Sequence, residues 1–415
     1  MKGKLSVKRN KYIPTISSLY VNYVFQGIAA IIVSQNMSVL RSQWGASLSQ
    51  VTLVLSAVGL GRILSINLAG IISDRFGRKP AVILGIISYI VFFIGLLYSP
   101  NYQLGFIFSV FAGFGNAFLD TATYPVVVEA FDNRSKNSAL SVLNKAFISM
   151  GQFVFPIIVR FMLNNDIYFG WTFLVSALCM LLNLVIVLRL PFPQVSHGKP
   201  VQTDLSSESL TDYKPTGAKF RVEGVALMIF SFVSVSLFNV FITWIPTFTQ
   251  SALGMKEADS LIWVSAYSIF SFISVFVTSF IVNRGIHVPR FMTFCTSITG
   301  TALGIMLLIP NYYTVLLATF SVGFFAAGGI WQLGLVVLLE FFPFKRGLLT
   351  SYYSLATSIS VMGIPYLTGV LAEKNIQYVF LLIVILAFLG TLSLYFVYRR
   401  YQLMFYPEKK GYQQL

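Results

Sequence analysis

Apolar residues run through this chain in long blocks, not in the spaced stripes of a soluble helix. Windows of about 20 apolar residues recur twelve times, at roughly 14–36, 48–73, 80–98, 102–131, 138–163, 170–190, 222–250, 258–282, 288–309, 312–341, 347–373 and 375–399. Blocks of this length predict helices, because the strands of a membrane barrel alternate polar and apolar positions over about ten residues. Short connections such as Pro100-Asn101 force neighbours to run antiparallel. The first block is too long, and too free of a small-residue cleavage site, to read as a removable signal peptide.

The pattern breaks once, at about 191–221, where Ser, Thr, Pro and charge accumulate as in a flexible linker. Six blocks precede it and six follow. The two sets look related: VVVEAFDNRS (126–135) and VVLLEFFPFKRG (336–347) place Glu129 and Glu340 at the ends of the fourth and tenth blocks, with Arg134 and Lys345 following at the same distance. A duplicated six-span unit repeated about an axis along the membrane normal is a transporter pattern. The expected fold is all-α integral membrane, with twelve transmembrane helices in two six-helix bundles. Its parts are an N-terminal bundle at 1–190, a cytoplasmic linker at 191–221, a C-terminal bundle at 222–400 and a cytoplasmic tail at 401–415.

Composition agrees with lipid as the solvent. The chain is 56% hydrophobic and 10% charged, whereas soluble domains are about a quarter charged. Its net charge of +15 asks for no nucleic acid. Lys and Arg gather at both termini and in the even-numbered loops (Arg75, Arg78, Lys79, Arg134, Lys136, Arg284, Arg290, Lys345, Arg346), while odd-numbered loops hold little beyond Arg41, Lys256 and Lys374. By the positive-inside rule both termini are cytoplasmic and the protein is a multi-pass plasma-membrane protein, with the basic loops attracting anionic lipid. Cys179 and Cys295 fall inside spans and predict no disulfide. No enzyme is expected. Two histidines only, His197 and His287, lie in the linker and a loop; no metal-ligand spacing or nucleophile–base motif is present; and the Gly-rich run GFFAAGG (323–329) has no strand before it, so it packs helices and is no phosphate loop. No cofactor and no metal are expected.

A charged, glycine-pinned loop joins the second and third blocks: GIISDRFGRKP, residues 70–80. Gly77 supplies a tight turn and Pro80 suits the first turn of the next helix. The order Gly70, Asp74, Arg75, Gly77, Arg78, Lys79 resembles the signature loop of the major facilitator superfamily. The resemblance implies a latch: the Asp meets helix ends of the other half, and the basic residues meet an acid on the fourth span, here Glu129. Glu340 is its repeat-related counterpart. The second copy of the loop, near Asn283-Arg284-Gly285, lacks the Asp. Further stretches, SQNMSVL (34–40), GLGRILSI (59–66), NAFLDTATYPVVVEAF (116–131) and AAGGIWQLGLVVLLEFFP (326–343), resemble the YdiM/YdiN-type inner-membrane transporters, a group whose substrate is poorly defined. More distantly, LDTATYP (119–125) looks like the fourth span of fucose–proton symporters, which implies a coupling role for Asp120.

Three charges lie well inside the spans: Arg62, Asp120 and Lys145. Each costs about 2.5–3.5 kcal/mol at bilayer depth, so each needs a reason. At about 1.5 Å per residue, Asp120 and Arg62 sit roughly 16 Å and Lys145 roughly 10 Å from the cytoplasmic ends, and the three could meet. Helical spacing puts Gly113, Asn116, Ala117 and Tyr124 on the face of Asp120, with Phe111, Phe114 and Phe118 opposite. Ser138, Ser141, Ser149 and Gln152 fall on the face of Lys145, and Asn22, Gln26 and Asn36 on one stripe of the first span. These stripes are expected to line one wet cavity. The second half offers Asn239, Thr243, Trp244, Tyr267, Trp331, Gln332, Tyr352 and Tyr353 and no central acid.

The reading that follows is a secondary active transporter of a small hydrophilic solute, such as a hydroxy-carboxylate of shikimate or quinate type or a sugar, coupled to protons in symport and working as a monomer. Asp120 would carry the proton. Arg62, Lys145, Gln26, Asn116, Gln152, Asn239, Trp331 and Gln332 would bind the solute, with one acid and two cations leaving a positive remainder for a substrate carboxylate. A static Asp120 salt bridge, a proton-antiport drug or metabolite exporter, and a transporter-like sensor are the competing readings.

Overall fold

The computed structural model describes residues 11–130, 134–193, 217–343 and 346–405. Twelve of its helices are long and apolar enough to cross a membrane. They are α1 (Ile13–Gln35), α2 (Leu48–Arg75), α3 (Arg78–Leu97), α4 (Tyr102–Ala130), α5 (Arg134–Asn164), α6 (Trp171–Arg189), α7 (Val225–Leu253), α8 (Ile262–Asn283), α9 (Val288–Leu308), α10 (Tyr312–Phe341), α11 (Arg346–Lys374) and α12 (Ile376–Phe405). Short helices at Met37–Trp44 and Glu257–Ser260 fill the connections after α1 and α7.

Local chemistry fixes where these helices begin and turn. Ser47 caps α2 through a reciprocal capping box with Gln50, and Asn311 caps α10 in the same way with Thr314. Gly77 closes the loop between α2 and α3 at φ 98°, a left-handed conformation that a side chain would strain. Helix ends differ from the sequence expectation by a few residues in several places, two of them at the ends of the second half. A π-turn, Phe220–Gly224, precedes α7, so helical backbone starts before 222. The last helix runs past 400 to Phe405, because Tyr401 stacks on Phe405 (ring centroids 4.3 Å apart) and sets its edge against Phe341 (5.6 Å). The expected linker from 194 to 216, which holds His197, and the tail from 406 lie outside the described residues, as do Lys345 and the side chains of Arg134, Lys136, Ser138 and Ser141.

The tenth span is interrupted. Its first part ends at Ser321, a π-turn covers Val322–Ala326, and helix resumes at Ile330 after Gly329 at φ 104°. The Gly-rich run therefore does more than permit close packing. The Ser274 hydroxyl of α8 bonds the Phe324 carbonyl, so side-chain chemistry stands in for the ladder bonds that the break gives up.

Within the first half α2 and α3 pack on α4, α1 packs on α5, and α3 on α6; within the second half α12 packs on α7 and α9, and α11 on α7. The two bundles meet through α2 on α11 and α5 on α8. The α2–α4 seam is very close near Arg62 and Asp120. A Cβ at Gly113 would stand 2.3 Å from the Val58 carbonyl oxygen and 2.5 Å from the Arg62 amide nitrogen, and one at Gly61 would stand 2.1 Å from the Val110 carbonyl oxygen. Small residues on both helices thus bring the two backbones together. The outer layer is lipid-ready: Trp171, Val175, Leu178, Leu182, Val185 and Ile186 of α6 are exposed apolar residues, as are Phe388, Leu389 and Leu392 of α12.

At the end of the molecule opposite the termini, polar ties cross from one bundle to the other. Arg160 pairs with Asp259 at 2.7 Å, the Ser49 amide donates to Glu373 at 2.9 Å, the Tyr366 amide donates to Ser56 at 3.2 Å, and the Ser38 hydroxyl bonds Glu257.

Gly113→Ala is expected to lower the unfolding temperature measurably, by the equivalent of about 1–3 kcal/mol of overpacking, when followed by thermal denaturation of the purified protein. Gly304→Ala is the control, since a Cβ there meets nothing within 4 Å. Equal stability of the two variants would contradict the close α2–α4 approach.

Candidate functional site

A cavity of about 1130 Å³ separates the bundles at mid-depth and reaches the α2–α3 loop at the terminal end. Its walls come from α1, α2, α4 and α5 on one side and α7, α10 and α11 on the other, with Phe92 of α3 contributing; α6, α9 and α12 do not reach it.

Two of the three interior charges meet in it. Arg62 Nη2 lies 3.2 Å from Asp120 Oδ2, and each side chain is 22% exposed. The other carboxylate oxygen accepts from Tyr23 OH at 3.2 Å. One turn away, Asn116 Oδ1 accepts from the Gln26 amide and from Tyr89 OH, the latter at 3.1 Å. Three helices, α1, α2 and α3, thus converge on two polar groups of α4. The absent side chain at Gly113 is what lets the Arg62 backbone come close enough to place its guanidinium there.

Lys145 does not join them, contrary to the expected three-way cluster. Its ammonium lies over the ring of Phe238 on α7, 5.0 Å from the centroid, in the opposite bundle. No carboxylate lies within ion-pair distance of it among the described residues. Burial strips water from the ammonium, and the aromatic face is a partial replacement.

Of the expected binding residues, Arg62, Lys145, Gln26, Asn116, Gln152, Asn239, Trp331 and Gln332 all line the cavity, together with Asp120, Tyr124 and Thr243. Other members of the expected stripes do not. Asn22 is buried in a knot with Asn183 of α6 (2.7 Å), and Ser18 bonds the same Asn183 (2.7 Å). Asn36 turns back to the Ile32 carbonyl. Ser149 meets Ser271 across the bundle interface at 3.3 Å. Trp244, Tyr267 and Tyr353 are fully buried packing residues, Trp244 donating to Thr368 at 3.0 Å. Helical periodicity finds a buried polar face, but it does not tell a cavity from a helix contact.

The signature loop is built around Arg78, which is 3% exposed. It reaches Ser73 at 2.8 Å, Asp74 at 2.6 Å and Glu129 of α4 at 3.0 Å. Lys79 donates to the Leu188 and Leu190 carbonyls at the end of α6 (2.8 and 3.2 Å). Asp74 is 77% exposed and pairs inside its own loop; the expected contact with helix ends of the other half is not made, because the cavity lies between them. Gly70 lines this lower part of the cavity and Arg75 rests over Phe76. In the second half Glu340 accepts from Tyr401 of α12 at 2.9 Å, and Arg284 lies over Phe280. A buried pair that sequence reading did not single out, Glu223 with Arg400 at 2.7 Å, ties the start of α7 to α12. His287 lies outside the spans between Tyr398 and Tyr401, where burial pushes its imidazole below the usual value.

Sequence reading also missed Tyr23 and Phe238. Both are aromatic in an aromatic-rich chain, and nothing in their local pattern sets them apart.

Twelve spanning helices in two bundles around one cavity, with charges held at mid-depth, make a membrane transport protein. The chain belongs to the Major Facilitator Superfamily: that family's model matches residues 19–296 and 263–411. It is 33% identical over 368 residues to the inner membrane transport protein YdiM of Escherichia coli (strain K12), covering 89% of each chain. It is 33% identical over 392 residues to the uncharacterized MFS-type transporter YfkL of Bacillus subtilis (strain 168), covering 94% of this chain and 97% of that one. Among solved structures, a D-xylose–proton symporter superposes with a TM-score of 0.71 at 16% identity, over 93% of this chain and 97% of that one, a likeness of fold.

Asp74→Asn removes a largely exposed charge and is expected to change stability by less than about 1 kcal/mol. Glu129→Gln weakens the hold on a buried guanidinium and is expected to cost about 1–3 kcal/mol. Thermal unfolding of both variants checks this; the reverse order would contradict the burial of Arg78 against α4.

Proposed function

We propose that the chain is a proton-coupled secondary transporter of a small carboxylate-bearing solute, working by alternating access in a plasma membrane with both termini cytoplasmic. The observation that carries this reading is the Arg62–Asp120 pair, 3.2 Å apart and open to the cavity, with Lys145 across it holding only an aromatic ring. One acid and two cations leave a net positive charge of about one unit, which a solute carboxylate would neutralise.

The coupling follows from this arrangement. Arg62 is the counter-charge of Asp120. A carboxylate that engages Arg62 leaves Asp120 without its counter-charge, and Asp120 then takes up a proton. The solute carboxylate and the proton enter together, so the loaded site carries the same net charge as the empty one and the cycle moves no extra charge through the low-dielectric interior. Lys and Arg in the even-numbered loops support a cytoplasmic placement of the termini, and the cavity therefore faces the cytoplasm here. The outer face is held by Arg160–Asp259 and its neighbours. In the opposite state these ties would open, and Asp74 would meet the helix ends of the second half. The cavity lies inside one chain, so a monomer suffices.

A second reading draws on the apolar share of the wall, which includes Val33, Leu55, Val58, Phe92, Val240 and Leu335. Such a surface suits export of an amphipathic anion by proton antiport. The direction of substrate flux under an imposed pH gradient separates the two.

Asp120→Asn is expected to abolish uphill accumulation driven by a pH gradient in proteoliposomes, while leaving counterflow exchange in place. Undiminished accumulation would make Asp120 a structural partner of Arg62. Arg62→Gln is expected to weaken binding of a transported acid by about tenfold or more, the scale of one lost charge-assisted hydrogen bond, and to weaken binding of the matching amide much less. Equal effects on both would remove the carboxylate from the reading.

A further inference from the structure

Among the described residues, the wall supplied by the second half carries no charge, and its two kinds of surface differ. Trp331 lines the cavity, yet its indole N–H is already spent, donating to Ser231 Oγ at 3.0 Å and Thr357 Oγ1 at 2.9 Å. Its carbonyl accepts from Tyr353 OH at 2.8 Å. A tryptophan held in this way has a fixed orientation and no donor left for a ligand, so what it can offer is its ring. Phe238 is the second ring. Its face is covered by the Lys145 ammonium at 5.0 Å, a cation–π contact that gives way when an anion competes for the ammonium. Beside these rings Asn239 and Thr243, one turn apart on α7, and Gln332 on α10 line the same cavity. None of the three makes a side-chain hydrogen bond among the described residues.

We infer that the transported solute is a hydroxylated aromatic carboxylate. This deepens the carboxylate reading above and rests on it. The carboxylate draws Lys145 off Phe238. The ring of the solute takes the face so vacated and lies against Trp331. The ring hydroxyls bond the unspent groups of Asn239, Thr243 and Gln332. A saturated ring of the same size and substitution carries axial hydrogens and cannot lie flat on either face, so it recovers the charge contact and the hydroxyl bonds but not the stacking.

The test uses the full-length protein in lipid nanodiscs and isothermal titration with three probes: para-hydroxybenzoate, its saturated-ring counterpart para-hydroxycyclohexanecarboxylate, and para-hydroxybenzamide. The aromatic acid is expected to bind about five- to tenfold tighter than the saturated acid, the scale of one or two aromatic contacts, and tighter than the amide. Phe238→Leu and Trp331→Leu should each shrink the aromatic preference while keeping acid above amide. Ser231 and Thr357 already bond each other at 3.0 Å, so loss of the indole leaves them paired. Equal binding of the two acids, both above the amide, overturns this inference and leaves the carboxylate reading standing. An amide that binds as well as the acid, or no binding by either acid to folded protein, overturns both. An aromatic preference that survives in both variants overturns the assignment to these rings.

Discussion

An arginine and an aspartate 3.2 Å apart at bilayer depth depend on each other, because neither has bulk water to support its charge. Much of the surrounding architecture follows from keeping them together. The α2 and α4 backbones must approach closely, and a glycine at 113 allows it. Tyr23 takes up the second carboxylate oxygen, so that lone pair is not left bare at the cavity wall. The pair also needs a partly open face, since a fully enclosed ion pair could neither meet a solute nor exchange a proton. The space between the bundles supplies that face.

One rod carries this chemistry to the gate. The α2 helix runs unbroken from Leu48 to Arg75. Its Leu48 end meets the second bundle at Ser49 and Ser56, its middle holds Arg62, and its Arg75 end leads into the Arg78 cluster. A change in the pull on Arg62 therefore acts on a helix that is tied at one end to the second bundle and leads at the other into the cluster that holds α4. The second half is built the other way round. Its acids at the terminal end are engaged locally, Glu340 with Tyr401 and Glu223 with Arg400, and among the described residues its cavity wall is neutral. The bundles share a plan, and they divide the work between charge on one side and rings and hydrogen bonds on the other.

Span number, order and most helix ends were legible because lipid leaves the backbone one local solution over each apolar block. The signature loop was legible through its resemblance to the family's loop, which implied Glu129 as the acid met by the basic residues; that Arg78 is the residue that meets it came from the structure. A cation beside Asp120 could be foreseen, with Arg62 and Lys145 both open as partners, because a lone acid at that depth needs one and few are available. Lys145 could not be assigned in the same way. Periodicity put it on the correct face, but its distance to Asp120 depends on how α5 is displaced along its axis relative to α4, which no local pattern encodes. Asn22 shows the reverse error, because a polar residue on a cavity-like stripe turned out to bond a neighbouring helix. The break in α10 was hidden too: Gly323, Gly328 and Gly329 read equally well as packing residues, and only the left-handed backbone at Gly329 shows that the helix stops there.

The central claim is that a solute carboxylate displaces Asp120 from Arg62 and that Asp120 then holds a proton. Infrared difference spectroscopy on the protein in lipid, with and without a binding carboxylate, addresses it most directly. The account predicts that binding adds a protonated-carboxyl C=O stretch that shifts in heavy water and is missing from Asp120→Asn. Saturable binding of the acid with no such band, or with a band that persists in Asp120→Asn, would contradict it.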